Sequence, residues 1–218
     1  MIVDNYGGVR IDGTNATIIG NKQGEFIADR NNITRVWMDH AFWPFVTTRL
    51  YLDQTGDMDV LFEKVPYFKD LQSMRGTAHD KFWNSEYGQK QKTERDHIYF
   101  GTVLEHILLQ NLCAFYDVGE HNEMRLHGAD WNDALDMAWE KGESVAFTCA
   151  YAGNLRILQK HSVSWKKSVE AARLKLHMRW KIFLQEAWNC MKMQHVSRHS
   201  LQDTQRNVNI ISVETQLL

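Results

Sequence analysis

Residues 127–138 read His127-Gly128-Ala129-Asp130-Trp131-Asn132-Asp133-Ala134-Leu135-Asp136-Met137-Ala138, the densest run of carboxylates, amide and indole in the chain. Gly128 has access to backbone angles closed to other residues. Asp130 or Asn132 can cap a helix that starts there, and Ala134, Leu135 and Ala138 give that helix something to bury. Carboxylates around an indole at a loop-to-helix junction suit work on a sugar, whose C–H face packs on an indole while carboxylates bind hydroxyls or move protons. The same residues also read as plain helix caps beside a core Trp131, and local spacing alone favours that plainer reading.

Other residues with chemical content are scattered. Asp39 and His40 sit among Val36, Trp37, Met38, Phe42 and Trp43, so a buried Asp39 must find partners. Arg30 and Arg35 are both candidate charge partners, and a solvent-facing or capping Asp39 is the alternative. His106 lies within an apolar stripe and reads as a hydrogen-bonded structural histidine rather than a ligand or base. Trp83 reads as a pin for its own loop, with contact to a ligand as the sharper alternative. The ten histidines include no His-Glu-x-x-His, and no Cys/His set has zinc spacing, so no metal site is expected. Walker loops and Gly-x-Ser-x-Gly elbows are absent from the sequence.

The elements that must carry these residues read as helices joined by loops. Residues 1–35 are turns and short extended pieces. A helix is predicted from about 33 to 54, with Trp43, Val46 and Leu50 on its apolar side and Gly56 as a stop. A shorter helix over 58–64 follows, capped by Asp57 and ended near Pro66. Residues 69–96 form a long surface loop. The stripe Val103, Leu104, Ile107, Leu108, Leu112 and Phe115 predicts a helix over 97–117 closed by Gly119, and residues 144–158 predict another. The architecture is therefore mostly α.

Composition sets the bounds. A chain of 218 residues with 44% hydrophobic content can hold one substantial core. A net charge of −2 points to neither nucleic acid nor an anionic membrane surface as partner. Three widely spaced cysteines fit a reduced cytoplasm, and neither a leader nor a membrane-length apolar run is seen. The net charge hides a split: residues after 153 carry 11 Lys plus Arg against 4 Asp plus Glu, or +7, while the first 153 carry −9 and every glycine. Residues 1–158 and 159–218 are accordingly expected to differ in kind, the second being a basic tail of doubtful homology.

Four motifs, in order, carry a family resemblance. Gly128-Ala129-Asp130-Trp131-Asn132-Asp133 resembles the Gly-Asp-Trp-Asn-Asp signature of the inverting β-glycan phosphorylases of the cellobiose phosphorylase type, glycoside hydrolase family 94. Met38-Asp39-His40-Ala41-Phe42-Trp43 is similar to that family's Asp-Asp-His-x-Trp helix start. Gln54-Thr55-Gly56-Asp57 through Val65-Pro66-Tyr67 resembles its Thr-Gly-Asp…Val-Pro-Tyr hairpin, and Thr102-Val103-Leu104-Glu105-His106 its Thr-Leu-x-Glu-His helix. The likeness covers roughly residues 30–150. Asp12-Gly13-Thr14-Asn15-Ala16-Thr17 points to the branch acting on β-1,2-oligoglucans. Met38 stands where the family has Asp, and Ala134 where it has Gly.

The resemblance implies a catalytic (α/α)6 barrel, of which residues 1–158 would be a part. It implies Asp133 as general acid, Trp131 lining the sugar site, and Asp39, Asp130 and Arg35 contacting substrate. It implies a β-linked glucose oligosaccharide and inorganic phosphate as co-substrates, and no cofactor. The expected reaction is inverting phosphorolysis to α-glucose 1-phosphate. An inverting hydrolase on the same barrel would need a second carboxylate, ~6.5–9.5 Å from the acid, to activate water; a carbohydrate-binding remnant without turnover is the third reading. Family members are several times longer, with a β-sandwich before the barrel and most phosphate contacts after the signature. The expectation is thus a fragment of the catalytic domain, with truncation or a change of reading frame near residue 160. A partial barrel leaves apolar helix faces open, which predicts low stability or assembly as a homodimer.

Overall fold

Thr102 opens the helix at the centre of the main core. In the computed structural model, which describes residues 2–16, 18–20, 22, 25–27, 38–73, 75, 78–116, 118–126 and 140–169, its backbone is extended (φ −79°, ψ 160°). Its hydroxyl accepts the Glu105 amide at 3.1 Å, and the Glu105 carboxylate accepts the Thr102 amide at 2.6 Å. This reciprocal capping box satisfies two amides that the first turn leaves unbonded. Helix α3 runs Val103–Cys113 and tightens into a 3-10 turn over Ala114–Tyr116. It is shorter than the predicted 97–117 because the cap fixes its start. Gly119 does not close it; its amide donates to the Glu123 carbonyl in a separate turn.

The face that α3 buries differs from the predicted stripe. Val103, His106, Ile107, Gln110 and Asn111 are inside, whereas Leu104 and Leu108 are only partly covered. Three polar side chains therefore occupy core positions. His106 is stacked on the Tyr67 ring with centroids 4.0 Å apart, and its Nδ1 bonds the Thr102 carbonyl at 2.8 Å. Asn111 donates to the Ile107 carbonyl at 2.8 Å and accepts from Asn154 at 2.9 Å. Gln110 donates to Asn15 Oδ1.

Among the described residues, three further helices accompany α3. Helix α1, Ile2–Tyr6, was not anticipated; its Tyr6 is buried, and the hydroxyl reaches the Pro44 carbonyl at 3.0 Å and Thr48 at 2.6 Å. Helix α2 spans Trp43–Thr55. It starts later than the predicted residue 33, because residues 38–42 form a turn and Pro44, lacking an N–H, belongs in a first helical turn. Gly56 (φ +67°) ends it as predicted, its amide bonding the Leu52 carbonyl at 2.9 Å. The buried side of α2 is Pro44, Phe45 and Thr48; Trp43 and Leu50, expected inside, are 56% and 55% exposed. Helix α4, Val145–Val169, passes without a break through the boundary expected at 158–159.

The predicted helix over 58–64 is instead a 3-10 turn, Asp59–Phe62, leading into an extended segment that ends on Pro66. Asp57 does not cap it; its carboxylate accepts the Tyr51 hydroxyl at 2.6 Å. Among the described residues, strands pair only as two-stranded antiparallel ribbons: β1 (Ile18–Ile19) with β2 (Phe26–Ile27), β3 (Lys64–Pro66) with β6 (Phe100–Thr102), β4 (Gln72–Ser73) with β5 (Ala78–His79), and β7 (Met124–Arg125) with β8 (Glu143–Ser144). In the β3–β6 ribbon Lys64 faces Thr102, so this ribbon delivers the chain to the α3 cap. The long loop is held by Lys69–Asp80 at 2.6 Å and by Trp83, whose Nε1 donates to the Gly88 carbonyl at 3.0 Å. Trp83 is thus a pin for its loop.

Arg10 and Asp70 join the N-terminal turns to this loop. Both are buried, 4% and 2% exposed, and Arg10 Nε and Nη2 grip the two carboxylate oxygens at 2.8 and 2.5 Å. Arg10 also donates to Thr14 Oγ1 and the Asn15 carbonyl. Substituting Arg10→Met strands a buried carboxylate and should cost ~3–5 kcal/mol in urea unfolding, whereas the double replacement Arg10→Met with Asp70→Leu should recover most of it. A single variant as stable as wild type would refute this account.

Burial pushes the His106 imidazole down to about 4, against the pull of the Thr102 and Pro66 backbone groups. As pH falls, the unfolded chain binds this proton first, so the contribution is whole above pH ~6.5, is lost progressively between ~6.5 and ~4, and changes no further below that. The loss should total about 3 kcal/mol in unfolding free energy, and His106→Phe should remove most of that slope; an unchanged slope would refute the assignment.

Candidate functional site

Residues 38–42 form a turn because two amides, of Phe42 and Trp43, donate to the Asp39 carbonyl at 3.0 and 3.1 Å. The turn is anchored from α4: the Tyr151 hydroxyl donates to the Met38 carbonyl, and the Tyr151 ring meets Phe42 edge-on at 5.8 Å. Asp39 is buried, 8% exposed, which settles the alternative left open by its apolar neighbours. His40 Nε2 lies 4.0 Å from Asp39 Oδ1. Burial pushes the His40 imidazole below its ordinary value, with the Asp39 charge pulling it partly back, so near pH 7 it is the neutral form that faces the carboxylate.

The same cluster holds the root of the carboxylate–tryptophan motif. Met38, Ala114, Met124 and Tyr151 form one buried group, with Ala41, Phe42, Phe115 and Phe147 packed on it. Met124 lies in β7, three residues before His127, and its amide donates to Thr148 Oγ1 of α4 at 2.8 Å. The β7–β8 ribbon pairs Met124 with Ser144 and Arg125 with Glu143. Leu126 then donates to the Gly142 carbonyl at 2.9 Å, and Arg125 Nη1 to the Glu140 carbonyl at 2.9 Å. Residues 124–126 and 140–144 are therefore tied to each other, and Met124 shares the cluster that holds Met38. Glu143 tightens the base, accepting the amides of His121 and Glu123 at 3.2 Å each.

A small cleft opens on the other side of Met38. Gly13, Thr14, Met38, Ala41, Arg75, Gln110, Ala114 and Tyr151 line it. Gly13 is required here: its φ is +81°, and a Cβ would stand 2.8 Å from Cys113 Cβ and 3.1 Å from the Leu109 carbonyl. Asp12 organises the turn, its Oδ1 accepting the Thr14 amide and hydroxyl at 3.0 and 2.6 Å. Its Oδ2 accepts the Arg75 amide at 2.7 Å, and its carbonyl accepts Arg75 Nη1 at 3.1 Å. Arg75 itself adopts φ +54°, an angle uncommon outside glycine.

Of the site residues expected from sequence, Asp39 is placed in this region. Arg30, Arg35, Asp130, Trp131, Asn132 and Asp133 lie outside the described residues, as does the chain beyond 169. His106 is a buried structural residue. Gln110, Arg75 and Thr14 were not anticipated. The available signal was a polar residue, Gln110, seven places from Val103 on a helix whose buried positions repeat at three and four. Among the described residues, no group of three or more His, Cys, Asp or Glu is placed to hold a metal ion, and no helix is long and apolar enough to cross a membrane.

No protein-family model matches the chain. It is 26% identical over 145 residues to the cyclic beta-(1,2)-glucan synthase NdvB of Rhizobium meliloti (strain 1021), covering 66% of this chain and 5% of that protein. It is 31% identical over 112 residues to solabiose phosphorylase of Paenibacillus borealis, covering 50% of this chain and 11% of that protein. The chain therefore spans only about a tenth or less of the length of these relatives. Both are carbohydrate-active enzymes, and the similarity supports a glycoside phosphorylase-like family for this chain at that coarse level.

The anchoring of the Asp39 turn can be tested directly. Tyr151→Phe leaves the Met38 carbonyl buried without its donor and should lower unfolding free energy by about 1–3 kcal/mol. It should also speed amide hydrogen exchange at Phe42 and Trp43; exchange as slow as in wild type would show that α4 does not hold this turn.

Proposed function

We propose that the chain carries the acid-bearing part of an inverting glycoside phosphorylase of family 94 type, within an (α/α)6 barrel of which residues 1–158 form a portion and 159–218 a distinct basic tail. The observation that carries this reading is the order of four motifs along the chain. The first of them shares, through Met38, one buried cluster with Met124 of β7, three residues before the stretch that holds the last. The similarity to solabiose phosphorylase supports a phosphorolytic reaction. The β-(1,2)-glucan in the other relative's name agrees with the branch suggested by residues 12–17.

In this reading the substrates are a β-linked glucose oligosaccharide and inorganic phosphate, without a cofactor. Asp133 gives its proton to the glycosidic oxygen as the C1–O bond breaks, and a phosphate oxygen attacks C1 from the opposite face. The products are α-glucose 1-phosphate and a glycan one residue shorter, which leaves with the proton. Phosphate is already anionic, so the mechanism needs one acid and no base. Asp133 must start protonated near neutral pH, which burial beside Trp131 or the nearby phosphate charge would bring about. Trp131 supplies an apolar face to the sugar, and Asp39, Asp130 and Arg35 hold its hydroxyls. A cytoplasmic setting and assembly as a homodimer belong to the same proposal.

The test is phosphate-dependent release of glucose 1-phosphate from β-linked glucose oligosaccharides, measured on this chain and on a longer relative aligned to it. Replacing Asp133→Asn should lower that release by ~10²–10⁴-fold while leaving sugar affinity near wild type. Retained turnover in the variant would sink the assignment. Glucose release without phosphate would point to an inverting hydrolase, and sugar binding without turnover to a binding remnant.

A further inference from the structure

We propose that the cleft between the 12–14 turn, Arg75 and α3 is a notch for one uncharged hydroxyl group of a sugar, with Gln110 accepting and Arg75 donating. The inference rests on the carbohydrate reading above and adds a contact to it, reached one residue along the chain from Asp39. Its first support is Gln110, which is 1% exposed and lines the cleft. Its Nε2 donates to Asn15 Oδ1, which leaves Oε1 as the free end of the amide. Its Oε1 is buried and has no hydrogen-bond partner among the described residues. An orphaned buried acceptor is costly, and the neighbouring polar residue of the same helix, Asn111, is bonded on both sides of its amide.

The second support is the rest of the lining. Arg75 is half-buried and stands at the rim with Ala41, while Gly13, Thr14, Met38, Ala114 and Tyr151 are buried. One guanidinium nitrogen, Nη1, is committed to the Asp12 carbonyl at 3.1 Å. Its Nε and Nη2 make no hydrogen bond among the described residues, which leaves donors for an incoming group. The free space is about 10 Å³, enough for one water-sized group and too small for a sugar ring. An acceptor on one side and guanidinium donors on the other match a group that both donates and accepts. A hydroxyl does so. A phosphate would set an anionic oxygen against the lone pairs of the Gln110 amide oxygen, and an ammonium would meet the Arg75 cation.

Calorimetric titration of the full 218-residue chain with β-1,2- and β-1,4-linked glucose disaccharides tests the notch. Gln110→Leu should weaken binding about ten-fold; because it also removes the bond to Asn15, its melting temperature should fall, and binding is the deciding readout. Arg75→Met acts on the opposite wall and should weaken it to a similar degree, and it decides the matter if Gln110→Leu does not fold. Both variants binding sugar as tightly as wild type would overturn the notch and leave the carbohydrate reading standing. Binding of inorganic phosphate that disappears in Arg75→Met would overturn it in favour of an anion. A wild-type chain that binds neither disaccharide would fail the carbohydrate reading itself, and the notch with it.

Discussion

The structure depends on a polar seam through the buried face of α3. His106, Gln110 and Asn111 sit where a helix of a small core ordinarily places leucines. A buried polar group without a partner costs about 1–3 kcal/mol, so each of the three dictates what must lie opposite. His106 needs the Thr102 carbonyl and a flat neighbour, found in Tyr67. Asn111 needs a donor from α4, supplied by Asn154. Gln110 needs the N-terminal turn, supplied by Asn15. Hydrophobic burial is indifferent to small rotations of α3, whereas these bonds are not. The seam therefore sets the rotation of α3 against three segments that lie far apart in sequence.

Two further devices carry that order outward. The Arg10–Asp70 pair joins the N-terminal turns, already positioned by Asn15, to the long loop, and the loop returns Arg75 to the 12–14 turn through Asp12. On the opposite side, α4 is positioned by Asn154 on Asn111 and passes the constraint on through Tyr151 to Met38 and through Thr148 to Met124. The Asp39 turn and the β7–β8 ribbon are consequently indexed to one helix. That is a mechanical requirement of any site that takes one carboxylate from each.

How much of this the sequence disclosed depends on whether a residue type admits one geometry or several. Gly56 as a helix stop, Trp83 as a loop pin and His106 as a structural histidine were legible, since each follows from the residue's own chemistry. The rotation of α2 and α3 was not. Reading leucines and tryptophans as inward put Trp43, Leu50, Leu104 and Leu108 on the buried stripe, whereas Pro44, Phe45 and Thr48 in α2 and the polar seam in α3 hold those places. A stripe count treats polar residues as outward and so cannot see partners supplied by Asn15 or Asn154. The 58–64 segment failed for a related reason: local propensity favoured a helix, but pairing of Val65 with Gly101 demanded extended backbone. For the site, Asp39 was visible as a buried-or-exposed alternative that only packing could decide. The chemistry of residues 127–138 was visible as composition, and its role came from motif order rather than from spacing.

The single-acid mechanism proposed above would account for much structure standing behind few reacting groups. A hydrolase must hold two carboxylates and a water in line, and it can correct a displaced acid only by displacing the base as well. A phosphorylase brings its own nucleophile, so the protein's task reduces to placing one proton donor over the glycosidic oxygen and holding the ring still beneath it. Both tasks are questions of the distance between two chain segments. On that proposal the segments are the Asp39 turn and the β7–β8 ribbon, which share one side-chain cluster of Met38, Ala114, Met124 and Tyr151. Packing of that kind changes in discrete steps, since close-packed side chains transmit displacement rather than absorb it. On the proposed function, the position of the acid relative to the sugar would be governed by this shared cluster, which α3 helps to hold in register.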